Sequence, residues 1–278
     1  MNFTYGAELE WADVDARLFI NPTIGSWSKK EWTIVNSDGK ANDPELIRNH
    51  FGGEINTVPT NSLAEQLLNI EGLIEFLSPK ALYRGNIQYH IGYEGAKENI
   101  DLMKKIFKYT EENQDFVYFD MLPRDPAEPK DYPNPEDLKL AKKFDRQRNL
   151  WNKRGVPSDR AEKILKASTA KEFYDEHYFF NEKTQRRLYH LGTFRAGINV
   201  RALYTNGTVE FRCFPGSTDI DEIRHCFVFC EEFIKAAIYT PERTAKDIYE
   251  SREWKFPKWQ KFDPELEKGF NATKHRPE

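Results

Sequence analysis

The chain reads FTYGAELEW at residues 3–11, and this stretch decides the fold that we expect. Alternate residues of a β-strand point to opposite faces of the sheet, so the large apolar side chains share one face and Glu8 and Glu10 share the other. The two carboxylates would stand about 7 Å apart along the strand. One apolar and one polar face are typical of an antiparallel sheet that packs on one side only.

Three further segments repeat this division into an apolar and a polar face. Residues 53–58 carry Glu54 and Asn56 on the polar face, and residues 87–93 carry Gln88 and His90 there. The third segment is a predicted hairpin, because Asn206-Gly207 between two apolar runs favours a two-residue type I′ turn. The sequence therefore predicts a sheet of several strands with one polar face.

The turn at residues 206–207 fixes the register that we predict for the hairpin. Strands at residues 199–204 and 209–214 then pair Leu203 with Glu210, Arg201 with Arg212, and Asn199 with Phe214. In this register Asn199, Arg201, Glu210 and Arg212 share the polar face. Two arginines directly opposite each other repel, so we expect an anion between or above them.

The polar residues of these strands have two interpretations. They form either the solvated face of a half-exposed sheet or a site for metal ions and anions. A solvated face usually carries Lys, Thr, Ser and Gln, whereas these strands offer Glu8, Glu10, Glu54, Glu210 and His90. Oxygen ligands with an occasional imidazole suit Mg²⁺ or Mn²⁺, and nearby arginines suit phosphates. We favour the site.

Helices are predicted on both sides of an extended loop. Ser62 and Glu65 form a possible capping box before an apolar stripe, and a second stripe after Asp219 includes Cys226 and Cys230. These cysteines lie beside His225, but no second cysteine or histidine pair completes a zinc site, so we interpret them as core residues. Prolines between residues 123 and 135 predict the loop. Residues 115–119 are interpreted as an edge strand or an aromatic lid.

Composition limits the classes of partner. Among 278 residues, 41 Lys+Arg nearly balance 45 Asp+Glu, which disfavours bulk binding of nucleic acid. No apolar run approaches the roughly 20 residues of a membrane span, and no signal pattern follows Met1. Three cysteines do not form a disulfide framework. The expected location is the cytoplasm.

The same motifs resemble those of the amidoligase family, within the glutamine-synthetase-like superfamily of carboxylate–amine ligases. The resemblance rests on five blocks in order, which are GAELE at residues 6–10, Asp38-Gly39, GEI at residues 53–55, YHI at residues 89–91, and Asn199 with GTVEFRCFPGSTD at residues 207–219. It spans Gly6 to about Ile238. The chain departs from the family's usual Gly-rich His-x-His block, because Gln88 stands where the first histidine is usual.

The resemblance implies an α+β fold, a curved antiparallel sheet with helices packed on one face, as in a glutamine-synthetase-like catalytic domain. A single catalytic domain would span residues 1–240, with a variable helical and Pro-rich insertion at about 115–190, and residues 241–278 would form an irregular tail. ATP would phosphorylate a carboxylate, and an amine would attack the acyl phosphate to form an amide. No Walker loop is present, so phosphate binding would rest on metals and arginines.

The resemblance also implies the roles of the polar residues. Mg²⁺, or Mn²⁺, would be held by Glu8, Glu10, Glu54, His90 and Glu210; Arg212 and Arg201 would bind the phosphoryl group; and Asn199 would orient a substrate. The expected substrates are small-molecule or peptide carboxylates and amines. Two alternatives stay open, a metal-dependent phosphodiesterase or nuclease and a catalytically inactive binding module on the same sheet.

Overall fold

The structure is a computed structural model, and it describes residues 2–12, 25–27, 52–81, 86–122, 158–177, 179–181, 186–188 and 196–258. These residues form an α+β fold with an open antiparallel sheet, as the sequence predicted. The predicted Asp38-Gly39 element and the proline-rich loop at residues 123–135 lie outside the described residues. The glutamine-synthetase-like architecture stays an expectation.

Nine strands are described. They are β1 (Phe3–Ala12), β2 (Gly25–Trp27), β3 (Gly52–Thr57), β4 (Lys80–Ala81), β5 (Ile87–Tyr93), β6 (Phe179–Asn181), β7 (Arg186–Leu188), β8 (Ile198–Asn199) and β9 (Thr208–Phe211). The main sheet has the order β2-β3-β1-β5-β9-β8, with β4 paired to β1, while β6 and β7 form a separate two-stranded sheet.

Seven α-helices are described. They are α1 (Leu63–Leu77), α2 (Ile100–Asp115), α3 (Ser158–Lys166), α4 (Ala170–Glu176), α5 (Ala202–Asn206), α6 (Ile220–Tyr239) and α7 (Ala245–Glu250). A 3₁₀ turn at Ala96–Glu98 precedes α2, and a π-helical turn at Phe116–Met121 follows it. Within the described ranges, every helix is too short or too polar to traverse a lipid bilayer.

The strands with one apolar and one polar face form as predicted. In β1 the apolar side chains are all buried, down to 0% exposure for Leu9 and Trp11. Strand β5 has the predicted bounds, and β3 covers all but the last residue of its predicted segment. Strands β1 and β3 pair so that Glu8 faces Asn56 and Glu10 faces Glu54. The alternation of apolar and polar residues was sufficient to predict these strands, because the direction of a side chain on a strand depends on local backbone geometry.

The predicted hairpin register is wrong. Residues 202–206 form the one-turn helix α5, and Gly207 ends it in the left-handed region with φ 73°, donating its N–H to the carbonyl of Leu203. A glycine in this conformation is a common helix C-cap, so Gly207 closes a helix and does not form a type I′ turn. Strand β8 therefore pairs Asn199 with Glu210, and Arg201 lies at the start of α5 instead of facing Arg212 across a hairpin.

The predicted helices are confirmed and two irregular segments are corrected. The Ser62 side chain caps α1 by accepting from the Glu65 N–H, and the α6 stripe with Cys226 and Cys230 is fully buried. Residues 115–119 are neither strand nor lid, because they end α2 and continue into the π-helical turn, where Tyr118 is buried. The tail predicted as irregular includes α7, whose capping box is formed by Thr244 and Asp247.

The chain divides into two compact units. The first unit comprises Met1–Thr4, His90–Cys213 and Phe227–Trp254. The second unit comprises Tyr5–Tyr89, Phe214–Cys226 and Lys255–Glu278.

Candidate functional site

The candidate site of the first unit is built on the pairing of β8 with β9. Asn199 and Glu210 are direct partners in the antiparallel register, so their side chains lie next to each other on one face. Ile198 and Phe211 point to the other face and are buried. The short β8 is held on its outer side because the Ile198 N–H donates to the hydroxyl of Tyr118 at 2.8 Å.

The Glu210 carboxylate accepts a hydrogen bond on each of its two oxygens. Asn199 Nδ2 donates to Oε2 at 2.6 Å, and a guanidinium N–H of Arg212 donates to Oε1. Glu210 is only 6% exposed and Asn199 only 4%. The carboxylate is therefore held in one orientation, between an amide and a guanidinium, away from bulk water.

The same contacts keep Glu210 ionised. Burial by itself raises the pKa of this carboxyl, because the charged form loses its hydration. The charges of Arg212 and His90 and the two hydrogen bonds outweigh burial, and the pKa of Glu210 is lowered from its ordinary value. Glu210 thus presents a permanent negative charge near neutral pH.

His90 of β5 completes this group of polar residues. One ring nitrogen of His90 and a carboxylate oxygen of Glu210 lie within 4.8 Å of each other, a separation that a shared metal ion can span. His90 Nδ1 is 3.3 Å from the hydroxyl of Thr208, which precedes Glu210 by two residues on the same face of β9.

Asn199 has a side-chain oxygen that is a further feature of the site. Its amide nitrogen is used on Glu210, and its Oδ1 is buried with no hydrogen-bond partner in the part of the chain that the structure describes. A buried acceptor left unpaired costs about 1–3 kcal/mol, so a donor or a cation at this oxygen would stabilise the site. A carboxylate, an imidazole and a carbonyl oxygen fit Mg²⁺ or Mn²⁺.

The other predicted metal ligands lie in the second unit. Glu8 is half-buried on β1, and Glu10 is 8% exposed with its Oε2 accepting from the Asn86 N–H at 3.0 Å. The backbone of Glu54 lies directly opposite Glu10. Their role as ligands stays a prediction.

Arg201 is placed differently from its prediction. It stands at the start of α5, and its guanidinium lies over the ring of Tyr174, 5.0 Å from the ring centre. Tyr174 in turn packs against Tyr204, with 4.7 Å between ring centres. The structure therefore gives Arg201 a packing contact between α4 and α5, and its predicted phosphate-binding role stays a prediction.

Thr208 is the site residue that the sequence analysis missed. Its spacing of two residues from Glu210 was a usable signal, because residues i and i+2 of a strand share a face. The predicted strand began at residue 209, so Thr208 was left outside it, whereas β9 begins at Thr208 and brings it beside His90.

Comparison with known proteins confirms the resemblance over the part of the chain that holds the last of the five blocks. Residues 140–234 match the family model described as "putative amidoligase enzyme". This match covers Asn199, Thr208, Glu210 and Arg212, but not His90. No curated protein sequence matches the chain significantly.

One solved structure is similar at low level, the crystal structure of a bifunctional glutathione synthetase from Pasteurella multocida. The similarity has a TM-score of 0.37 and 13% identity, over 88% of this chain and 40% of that one. The chain thus spans less than half of that protein's length, and a TM-score this low assigns no common fold.

Proposed function

Starting from the similarity of residues 140–234 to the amidoligase family, we propose that this protein is an ATP-dependent carboxylate–amine ligase. ATP transfers its γ-phosphoryl group to a substrate carboxylate, which gives an acyl phosphate and ADP. An amine then attacks the acyl carbon, and the C–O bond to phosphate breaks to leave an amide and inorganic phosphate. The proposed substrates are small-molecule or peptide carboxylates and amines.

The observation that carries this proposal is the ionised, buried Glu210 carboxylate, held between Asn199 and Arg212 beside His90. Phosphoryl transfer needs positioned charge more than covalent chemistry from the protein. A fixed carboxylate and a guanidinium supply charges of both signs in one place. A guanidinium group of this kind suits a phosphoryl group, so we assign phosphate binding to Arg212, whose side chain is 17% exposed.

Glu210 and His90 are the metal ligands that we propose in the first unit, and Glu8, Glu10 and Glu54 remain predicted ligands from the strand pattern. When bound, Mg²⁺ or Mn²⁺ would supply positive charge that offsets the negative charge developing in phosphoryl transfer. Arg212 orients the carboxylate of Glu210 by its hydrogen bond. We assign to the buried Oδ1 of Asn199 the role of accepting from a substrate N–H or contacting the cation.

Release of ADP and phosphate from ATP and Mg²⁺ tests the proposal, with a panel of amino acids, peptides and polyamines supplying the carboxylates and amines. Hydroxylamine serves as a small amine that traps an activated carboxyl group as a hydroxamate. We expect ADP and phosphate to form only when carboxylate and amine are both present. Glu210→Gln should abolish this turnover, whereas Glu242→Gln, the same change at an exposed position, should retain it.

Two outcomes would contradict the proposal. Hydrolysis of phosphodiesters without ATP would favour the metal-dependent phosphodiesterase. Failure to bind a non-hydrolysable ATP analogue with Mg²⁺ in calorimetry would favour a binding module without catalysis.

A further inference from the structure

Thr208 contacts His90 from the neighbouring strand. Its Oγ1 is 3.3 Å from His90 Nδ1, within hydrogen-bond distance. Thr208 and Glu210 stand two residues apart on β9, so both side chains lie on the face that meets His90. Both Thr208 and His90 are half-buried.

The methyl group of Thr208 is directed towards Gly92 of β5. It lies 3.4 Å from the point where a Cβ of Gly92 would stand. Gly92 and His90 are two residues apart on β5, so the strand that carries His90 also lies next to this methyl group. A β-branched residue in a strand has few χ1 rotamers, which limits the directions that the Thr208 hydroxyl can take.

The hydrogen bond at one ring nitrogen of His90 determines whether the other ring nitrogen carries a proton or a lone pair. In a neutral imidazole one nitrogen carries the proton and the other carries a lone pair. When the threonine hydroxyl accepts from Nδ1–H, the lone pair is on Nε2, which is then able to bind a metal ion. Metal-binding histidines are commonly held in this way, by an acceptor at the nitrogen that does not touch the metal.

We infer that Thr208 is a positioning residue that holds His90 in the Nδ1–H tautomer, so that Nε2 is a ligand for a divalent cation shared with Glu210. The inference rests on the proposed function for the cation itself. It adds a residue, and a direction for the histidine proton, that neither the motifs nor the family match assigns.

The tautomer is measured first, on metal-free protein. Long-range ¹H–¹⁵N correlation spectra distinguish a protonated from an unprotonated ring nitrogen, and the His90 signals are identified by their loss in His90→Gln. At a pH where the His90 imidazole is neutral, we expect Nδ1 protonated and Nε2 unprotonated in the wild type and in Thr208→Ser. Thr208→Val removes the acceptor but keeps the branched shape, and should convert His90 wholly or partly to the other tautomer.

Cation affinity is measured next, with Mn²⁺ as the probe and electron paramagnetic resonance of the free ion as the readout. Loss of such a supporting hydrogen bond typically weakens metal binding by roughly 10–100-fold, and we expect this range for Thr208→Val. Thr208→Ser should bind close to wild type. Thr205→Val is the matched control, because Thr205 is exposed and bonds only weakly within α5, at 3.4 Å to the carbonyl of Ala202.

The two readouts separate the inference from the proposed function. A wild type that fails to bind Mn²⁺ would overturn the proposed metal centre and, with it, the ligand role of Nε2. A wild type that binds Mn²⁺ no more tightly than Thr208→Val, or a His90 ring protonated at Nε2, would overturn the role of Thr208 and leave the metal centre standing. If Thr208→Val does not fold, the inference is tested by the His90 tautomer in the wild type and by the Mn²⁺ affinity of Thr208→Ala.

Discussion

Replacing Asn199 with aspartate tests the central contact of the candidate site. The amide nitrogen of Asn199 donates to the Glu210 carboxylate at 2.6 Å, and both residues are more than nine-tenths buried. Asn199→Asp puts an oxygen in place of this donor nitrogen with almost no change in shape. Two carboxylates would then face each other across a buried contact, with Arg212 as the nearby cation.

The size of the effect follows from two losses. A hydrogen bond to a charged group contributes about 1.5–3 kcal/mol, and this contribution disappears. Two unit charges about 4 Å apart repel by about 4 kcal/mol at an effective dielectric constant of about 20. Arg212 offsets part of the repulsion, so we expect Asn199→Asp to lower the free energy of unfolding by about 3–5 kcal/mol at neutral pH.

A second substitution should restore most of this loss. In Asn199→Asp/Glu210→Gln the new glutamine amide donates to the new carboxylate, while its carbonyl oxygen accepts from Arg212. The double variant has the wild-type net charge and the same number of hydrogen bonds. Glu210→Gln alone should lower the free energy of unfolding less than Asn199→Asp does, because rotation of the Asn199 amide supplies an acceptor to the new glutamine donor.

Urea unfolding of the four proteins in the presence of a chelator gives the coupling energy of the pair. The chelator matters because a bound cation would stabilise the adjacent carboxylates. If Asn199→Asp were as stable as wild type, or the double variant no more stable than Asn199→Asp, the buried contact between these two residues would be refuted. Mn²⁺ affinity should fall in the double variant even when stability returns, since the charge has moved from position 210.

Three further predictions concern the first unit. Arg201→Ala should lower the free energy of unfolding by about 1–2 kcal/mol, because the guanidinium is lost from the face of Tyr174. Urea unfolding measures the loss, with Arg201→Met as the control. A stability equal to that of the wild type would show that the contact contributes nothing. Burial is the main cause that lowers the pKa of His177 to about 3. Its ordinary value is about 6.5, so the unfolded chain binds more protons between these limits, and stability should fall on acidification by up to about 1.4 kcal/mol per pH unit. His177→Gln should reduce this slope in urea titrations, and an identical slope would contradict the assignment. Gly92→Ala should destabilise the protein, because the new Cβ would stand 2.0 Å from the Thr4 hydroxyl oxygen; thermal unfolding measures the loss, and an unchanged midpoint would show that Thr4 simply rotates away.

The sequence by itself determined the faces of the long elements. The alternation in residues 3–11 and 87–93 predicted β1 and β5, and the stripe after Asp219 predicted α6. These predictions depend on the geometry of one strand or one helix, which repeats every 2 or 3.6 residues whatever lies around it. Glu8, Glu10, His90 and Glu210 were singled out for the same reason, as polar side chains on otherwise buried strands.

The register of β8 against β9 was decided only by the tertiary structure. Gly207 with φ 73° is compatible with a type I′ turn and with a helix C-cap, so local sequence left both open. Helix α5 takes up residues 202–206, and a strand partner for Glu210 must then come from further back in the chain. That partner is Asn199, and the same change of register removes Arg201 from the polar face. Which residues of two neighbouring strands pair depends on how many residues lie in the connection between them. The packing of this connection, and not its own sequence, selects between the type I′ turn and the helix.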